Sequence, residues 1–182
     1  MNTYLLFAIL SVPIVFASLR SLVRVKSHGF YRFFGWEGLL WLLVSNYKYW
    51  FVDPFSTAQL FSWCFLFLSV YLAVTGGYSL LKRGKPTHER DDKALFHFEK
   101  TSQLVDTGIY RYIRHPLYAS LLYLSWGIFL KHATLPLFVV ALITSVFYYL
   151  TSINDEKECL AYFGQQYRDY MKRSKMFLPF IF

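Results

Sequence analysis

LYASLLYLSWGIFLKHATLPLFVVALITSVFYYL, residues Leu117–Leu150, is the stretch from which the architecture follows. Two apolar runs, Leu117–Leu130 and Thr134–Leu150, are parted only by Lys131-His132-Ala133. A connection that short forces two helices antiparallel. A bilayer crossing takes about 20 mostly apolar residues, within a range of roughly 17–25. The second run meets that length, and the first is short for it, so the pair reads as a short helical hairpin whose first arm only partly spans. Outward from it, Ala58–Leu81 is the cleanest crossing and Trp36–Phe51 is flawed by Glu37, Asn46 and Lys48. Tyr4–Leu19 is apolar except for Ser11, Pro13 and Ser18. The segment before it, Met1-Asn2-Thr3, has no positive charge, while Arg20, Arg24 and Lys26 follow it, which marks a retained span rather than a cleaved signal.

Composition agrees with this reading. Of 182 residues, 55% are hydrophobic, 21% aromatic and 16% charged, with a mean hydropathy of +0.32. A soluble domain carries about 25% charge, so an ordinary soluble globule is excluded, and so is a disordered chain. Two cysteines, Cys64 and Cys159, cannot form a disulfide framework or a four-ligand zinc site. His28, His88, His97, His115 and His132 have no metal-ligand spacing, and no metal is expected. The net charge of +8 would suggest nucleic acid in a polar protein, but here it marks loops held at an anionic membrane face, with no nucleic-acid partner. The expected fold is all-α: a polytopic membrane helix bundle of about five transmembrane segments, the last two a short helical hairpin, plus a C-terminal amphipathic cytosolic helix. One domain covers 1–182, divided into three N-terminal spans over 1–82, a cytosolic loop over 83–113, and a hairpin with its C-terminal helix over 114–182.

Lys and Arg placement gives the orientation. Arg20, Arg24, Lys26 and Arg32 follow the first span, and Lys82, Arg83, Lys85, Arg90, Lys93, Lys100, Arg111 and Arg114 follow the third. Lys157, Arg168, Lys172, Arg173 and Lys175 lie in the tail, and the opposite side has only Lys48 and Lys131. The positive-inside rule then puts the N-terminus outside and the C-terminus in the cytosol of a multi-pass membrane protein. The five tryptophans and many of the tyrosines suit interfacial belts.

Two polar stretches remain on the cytosolic side, Lys82–Ile113 and Asn154–Phe182. The first has a solvated loop with a short helix expected over Arg90–Lys100, then Gln103-Leu104-Val105-Asp106-Thr107-Gly108-Ile109-Tyr110 and Arg114-His115-Pro116-Leu117-Tyr118. Gly108 supplies a permissive turn, and Pro116 suits the first turn of a helix. Arg114 and His115 therefore sit at the lipid–water boundary, beside free helix N–H donors suited to an anionic group. In the other stretch Asn154 is a plausible N-cap, with Asp155 and Glu156 in the first turn. Leu160, Phe163, Tyr167 and Tyr170 recur at helical spacing as one apolar face. The hairpin brings the two polar motifs to one face, where an acidic pair beside an Arg-His pair can clamp a zwitterion.

These motifs together resemble the superfamily of isoprenylcysteine carboxyl methyltransferases and phospholipid methyltransferases. That family's N-terminal motif has the form L-V-x-x-G-x-Y-x-x-x-R-H-P-x-Y; here it is Leu104-Val105, Gly108, Tyr110, Arg114-His115-Pro116 and Tyr118. Its C-terminal motif has the form E-E, then F-G-x-x-Y-x-x-Y and a late Pro; here it is Asp155-Glu156, Phe163-Gly164, Tyr167, Tyr170 and Leu178-Pro179. The resemblance implies an integral membrane methyltransferase that uses S-adenosylmethionine, releases S-adenosylhomocysteine, and takes a lipophilic acceptor sideways from the bilayer. By position, Ser102, Gln103, Leu104, Val105, Gly108, Tyr110, His115, Pro116, Leu117 and Tyr118 would line the cofactor pocket, Asp155 and Glu156 would hold its ribose or amino end, and the late aromatic tail would close over it. Arg114, His115 and Glu156 are the catalytic candidates. Arg114 would orient an acceptor anion, and His115 or Glu156 would take a proton from an amine or thiol acceptor. Three departures stand out: Asp155 where Glu is usual, Ser174-Lys175 where Val-Pro is usual, and Leu150-Thr151-Ser152-Ile153 where the carboxyl methyltransferases carry a substrate-binding Arg. The last removes the counter-ion of a prenylcysteine carboxylate. Two other classes share some of these features. One is the NADPH-dependent sterol and steroid reductases, which have a related R-H-P-x-Y motif but usually Asn where this chain has Leu117. The other is a non-catalytic membrane scaffold.

Overall fold

A computed structural model describes residues 2–25, 27–85 and 100–180. Its helices are α1 (Thr3–Leu22), α2 (His28–Asn46), α3 (Thr57–Arg83), α4 (Pro116–Phe129), α5 (Leu135–Phe163) and α6 (Gln165–Arg173), with 3-10 turns at Tyr47–Tyr49 and Gly108–Arg111. No strand occurs among the described residues; Ile113 and Lys175 form one isolated parallel bridge. The helix expected over Arg90–Lys100 falls, except for Lys100, outside the described residues.

Local chemistry explains the helix starts. Asn2 accepts from the Tyr4 N–H at 3.1 Å, Ser27 from Phe30 at 3.3 Å, and Ser56 from Gln59 at 3.4 Å. Each side chain satisfies one of the orphan donors of a first turn. Prolines open α4 and α5, where the missing N–H costs nothing.

Three helices are long and apolar enough to cross a membrane: α1, α3 and α5. At 1.5 Å per residue, α4 is about 21 Å long, short of a hydrocarbon core of about 30 Å. Helix α2 has the length but carries His28, Arg32 and Glu37. It also runs differently from the expected Trp36–Phe51. Ser27 starts it eight residues earlier, and it ends at Asn46. Two of the polar residues that flawed it, Glu37 and Asn46, find partners far along the chain. Ser11 of α1 donates to Glu37 at 2.7 Å, and the Asn46 amide donates to the Ile128 carbonyl at 2.8 Å. Arg32, which charge placement alone assigns to a loop, is buried in α2 with its guanidinium 5.0 Å from the Trp36 ring centroid.

Helix α5 overturns another expectation. Asn154 caps nothing: it lies inside one unbroken helix and donates back to the Leu150 carbonyl at 2.8 Å. The helix is about 43 Å long, so its residues beyond Asn154 project past the bilayer core. The break comes at Gly164, whose φ of +57° is open to glycine but disfavoured for other residues. The amphipathic C-terminal helix is thus α6 alone.

Helices α2 and α5 pack closely because Gly35 leaves room for Tyr148. A Cβ at Gly35 would lie 2.6 Å from the Tyr148 ring, and the Tyr148 hydroxyl donates to the Gly35 carbonyl at 3.0 Å. Helices α3 and α4 are joined by the Ser62 hydroxyl, which donates to the Gly127 carbonyl at 2.7 Å. At one end of the bundle Lys131 is buried beneath Trp63, its ammonium 3.6 Å from the ring centroid and bonded to Gln59 at 3.0 Å. The opposite end gathers the N-terminus of α2, the C-terminus of α3, the start of α4, and the extension of α5.

Candidate functional site

The site is built at that opposite end. His115 is the residue before α4, and it is 4% exposed. Both ring nitrogens face carboxylates from the projecting part of α5: Nδ1 lies 3.4 Å from Asp155 Oδ2, and Nε2 lies 3.2 Å from Glu156 Oε1. Glu156 Oε1 also accepts from Arg114 Nε at 2.7 Å. Arg114 reaches on to the Ser174 carbonyl and, at 3.4 Å, to that of Met171, at the end of α6. The four formal charges cancel when the imidazole is protonated.

The electrostatics follow from these contacts. Burial alone would lower the His115 pKa. Hydrogen bonds and charge from Asp155 and Glu156 outweigh it and hold the imidazole above its ordinary value. For Glu156 burial acts to raise the pKa, but His115 and Arg114 overcome it and hold the carboxyl below its ordinary value. An imidazole with a carboxylate on each nitrogen is most stable as the doubly donating imidazolium.

The tail fixes this arrangement from the other side. Arg114 N–H donates to the Lys175 carbonyl at 2.7 Å, His115 N–H to Met176 at 3.2 Å, and Lys175 N–H to Tyr112 at 3.0 Å. The Phe177 ring lies 6.3 Å from the His115 ring, and Tyr118 stacks at 5.7 Å. The Tyr170 hydroxyl donates to the Tyr110 carbonyl at 2.6 Å. Burial pushes the Tyr167 and Tyr170 hydroxyls above their ordinary pKa, so both remain neutral.

A cleft of about 90 Å³ opens beside His115. Of the residues singled out in the sequence, Leu104, Val105, Tyr110, Arg114, His115, Leu117, Tyr118 and Asp155 line it. The others stand elsewhere. Glu156 sits behind His115, and Pro116 is buried against the Gly76 backbone. The Ser102 hydroxyl donates to the Lys85 carbonyl and the Gln103 N–H to that of Gly84. Gly108 borders a different recess. Leu80, Thr101, Cys159, Phe163, Tyr167 and Tyr170 complete the lining. Three of these six, Phe163, Tyr167 and Tyr170, belong to the C-terminal motif already quoted, and Cys159 was legible in principle. Asp155, Cys159 and Phe163 recur every four residues on one face of α5, and Phe163, Tyr167 and Tyr170 belong to the stripe that periodicity alone would lay on a membrane. The turn at Gly164 directs that stripe into the cleft, apart from Leu160.

His28 at the N-terminus of α2 approaches from behind. Glu158 accepts from the His28 N–H at 3.0 Å, and its other oxygen lies 2.7 Å from His28 Nδ1. His28, Asp155 and Glu158 thus place three potential ligand atoms within 4.8 Å of one another, a grouping that spacing along the chain could not reveal.

Fold and site together define a helical membrane protein with a largely apolar and aromatic cleft at one end of its bundle, into which Arg114, His115 and Asp155 face. Residues 88–170 match the family model for phospholipid methyltransferase. That interval contains the Arg114-His115 motif and the Asp155-Glu156 pair, in agreement with the superfamily resemblance read from the motifs, and it points to a membrane methyltransferase. No curated protein and no solved structure matches the chain.

Proposed function

We propose that the chain is an S-adenosylmethionine-dependent methyltransferase acting on a lipophilic acceptor drawn from the bilayer. One observation carries this reading: two motifs 41 residues apart meet in the His115–Glu156 contact and border one cleft. Its lining suits a nucleoside amino acid. Tyr110, Tyr118, Leu104 and Val105 offer apolar and aromatic surface, and Asp155 offers an acceptor for hydroxyls or an ammonium.

When bound, S-adenosylmethionine supplies an already activated methyl group on a sulfonium. The protein's own residues then need only align and desolvate. Alignment can contribute roughly 7–11 kcal/mol at best, and excluding water keeps solvent from opposing a charge-neutralising transfer. Asp155 faces the cleft and binds. His115 lies between two carboxylates that favour its protonated form, and in that form it holds Asp155 in place. Glu156 keeps its charge through Arg114 and His115 and is a poor base. Arg114 is spent on Glu156 and on the end of α6, which makes it a positioning residue rather than an acceptor ligand.

A larger groove suits the acceptor. It measures about 830 Å³ on the flank of α4 and α5, with Phe65, Tyr123, Trp126, Val146, Tyr149 and Phe177 among its walls. Phe177 links it to His115. At the position of the absent arginine, the Thr151 and Ser152 hydroxyls bond their own helix at 2.7 and 3.1 Å.

The test is transfer of labelled methyl from S-adenosylmethionine to a panel of prenylcysteines, aminophospholipids and small thiols, alongside calorimetric titration with S-adenosylhomocysteine and with NADPH. Saturable S-adenosylhomocysteine binding that Asp155→Asn weakens is the expected result. Binding of NADPH instead would overturn the reading.

A further inference from the structure

The 3-10 turn Gly108–Arg111 is a wall with two faces. Tyr110 lines the cleft beside His115. On the other face lies a separate recess of about 530 Å³, walled by Tyr71, Thr75, Tyr78 and Ser79 of α3 together with Arg111 and Tyr112. These α3 residues fall within about 18 Å of its C-terminal end, the region that meets the membrane surface.

The recess differs from the lipid-facing surface around it. Earlier exposed positions of α3 are apolar, among them Leu60, Phe61, Phe67, Val70 and Val74. Within the recess, the Thr75 hydroxyl donates to the Tyr71 carbonyl at 2.7 Å and the Ser79 hydroxyl to that of Thr75 at 2.8 Å. Lys82 sits at the rim and donates to the Tyr78 hydroxyl at 2.7 Å. No acidic residue is found among the described residues that line the recess. Three other arginines at this end are engaged: Arg83 with Thr107, Arg114 with Glu156, and Arg173 with Asp106. Arg111 is exposed and has no hydrogen-bond or ion-pair partner among the described residues.

We propose that this recess binds the phosphate of a membrane phospholipid, with Arg111 and Lys82 as its cationic contacts. An arginine fork matches phosphate oxygens in pairs. Tyr71, Tyr78 and Tyr112 are more than two-fifths exposed, and such amphipathic rings belong at the headgroup level. Below them the apolar flank of α3 accommodates acyl chains, which distinguishes a lipid from free phosphate. This lipid is separate from the methyl acceptor, and the proposal does not depend on the methyltransferase reading.

The test uses the full chain in a neutral detergent, with thermal unfolding followed during titration by dihexanoyl phosphatidylglycerol, dihexanoylglycerol and inorganic phosphate. The phospholipid should stabilise saturably and the other two should not. Arg111→Gln should weaken its apparent affinity about tenfold or more, the worth of one charge-assisted hydrogen bond. Lys82→Gln should act in the same direction, and Arg168→Gln, at an exposed arginine of α6, should leave the response intact. Asp155→Asn should retain it as well, which separates this result from any failure of cofactor binding. Equal stabilisation by inorganic phosphate or by dihexanoylglycerol would overturn the proposal, and so would an unchanged response in Arg111→Gln.

Discussion

Glu156→Gln isolates the charge at the centre of the network while keeping its shape. Glu156 Oε1 accepts from Arg114 Nε at 2.7 Å and faces His115 Nε2 at 3.2 Å, with the carboxylate side chain only 10% exposed. The glutamine amide oxygen can accept both bonds, but each becomes charge-assisted from one side only. Hydrogen bonds to charged groups contribute about 1.5–3 kcal/mol against about 0.5–1.5 for neutral ones, so two weakened bonds cost about 2–3 kcal/mol. At about 2–4 °C per kcal/mol for a chain of this size, the Tm falls by about 4–12 °C. The pH dependence is more diagnostic. In the wild type, His115 titrates above its ordinary value, so its stabilising contribution is complete below the ordinary histidine value and is lost as pH rises through the raised one. Glu156 titrates below its ordinary value, so its contribution is present above the ordinary carboxylate value and is lost as pH falls through the lowered one. Stability therefore plateaus between about pH 4.3 and about pH 6.5 and falls on both sides. The substitution removes the acid limb due to Glu156 and moves the alkaline loss to lower pH, because His115 keeps only Asp155. Thermal unfolding in detergent across pH 3–9 reads both limbs. Wild-type and variant curves that stay parallel across the whole range would refute this electrostatic account.

Other substitutions test neighbouring parts of the account. Asp155→Asn should weaken S-adenosylhomocysteine binding about tenfold or more in calorimetry while moving the Tm little, since Asp155 faces the cleft with its side chain 21% exposed. Arg114→Lys should retain a charge beside Glu156 but lose the contacts to the Ser174 and Met171 carbonyls; faster proteolysis of the tail, with the helical circular dichroism intact, is the expected sign. Gly35→Val should destabilise by about 1–3 kcal/mol, seen as a lower Tm, because its Cβ would meet the Tyr148 ring at 2.6 Å.

The hairpin was readable in the sequence because three residues between two apolar runs leave one geometry. The His115 and Asp155 motifs were readable because a hairpin returns both to the same end. Helix α2 was harder to place. Its start depends on Ser27, and its Glu37 and the Asn46 amide bond to Ser11 and to the Ile128 carbonyl, partners that periodicity cannot show. The run Asn154-Asp155-Glu156 has the character of a helix start because such residues cap helices, but it lies inside the continuous helix α5. The His28–Glu158 pair joins residues 130 apart and had no local signature. Arg114 next to His115 suggested an acceptor ligand; its reach to Glu156 and to the end of α6 had no signature in the sequence.

The most direct measurement is a structure of the full chain with S-adenosylhomocysteine bound. The account predicts the adenosyl amino acid in the cleft next to His115, touching residues from both sides of it: Tyr110 or Tyr118 from the N-terminal motif, and Asp155 or Tyr167 from the C-terminal one. A ligand held by one motif alone, or seated away from His115, would contradict it.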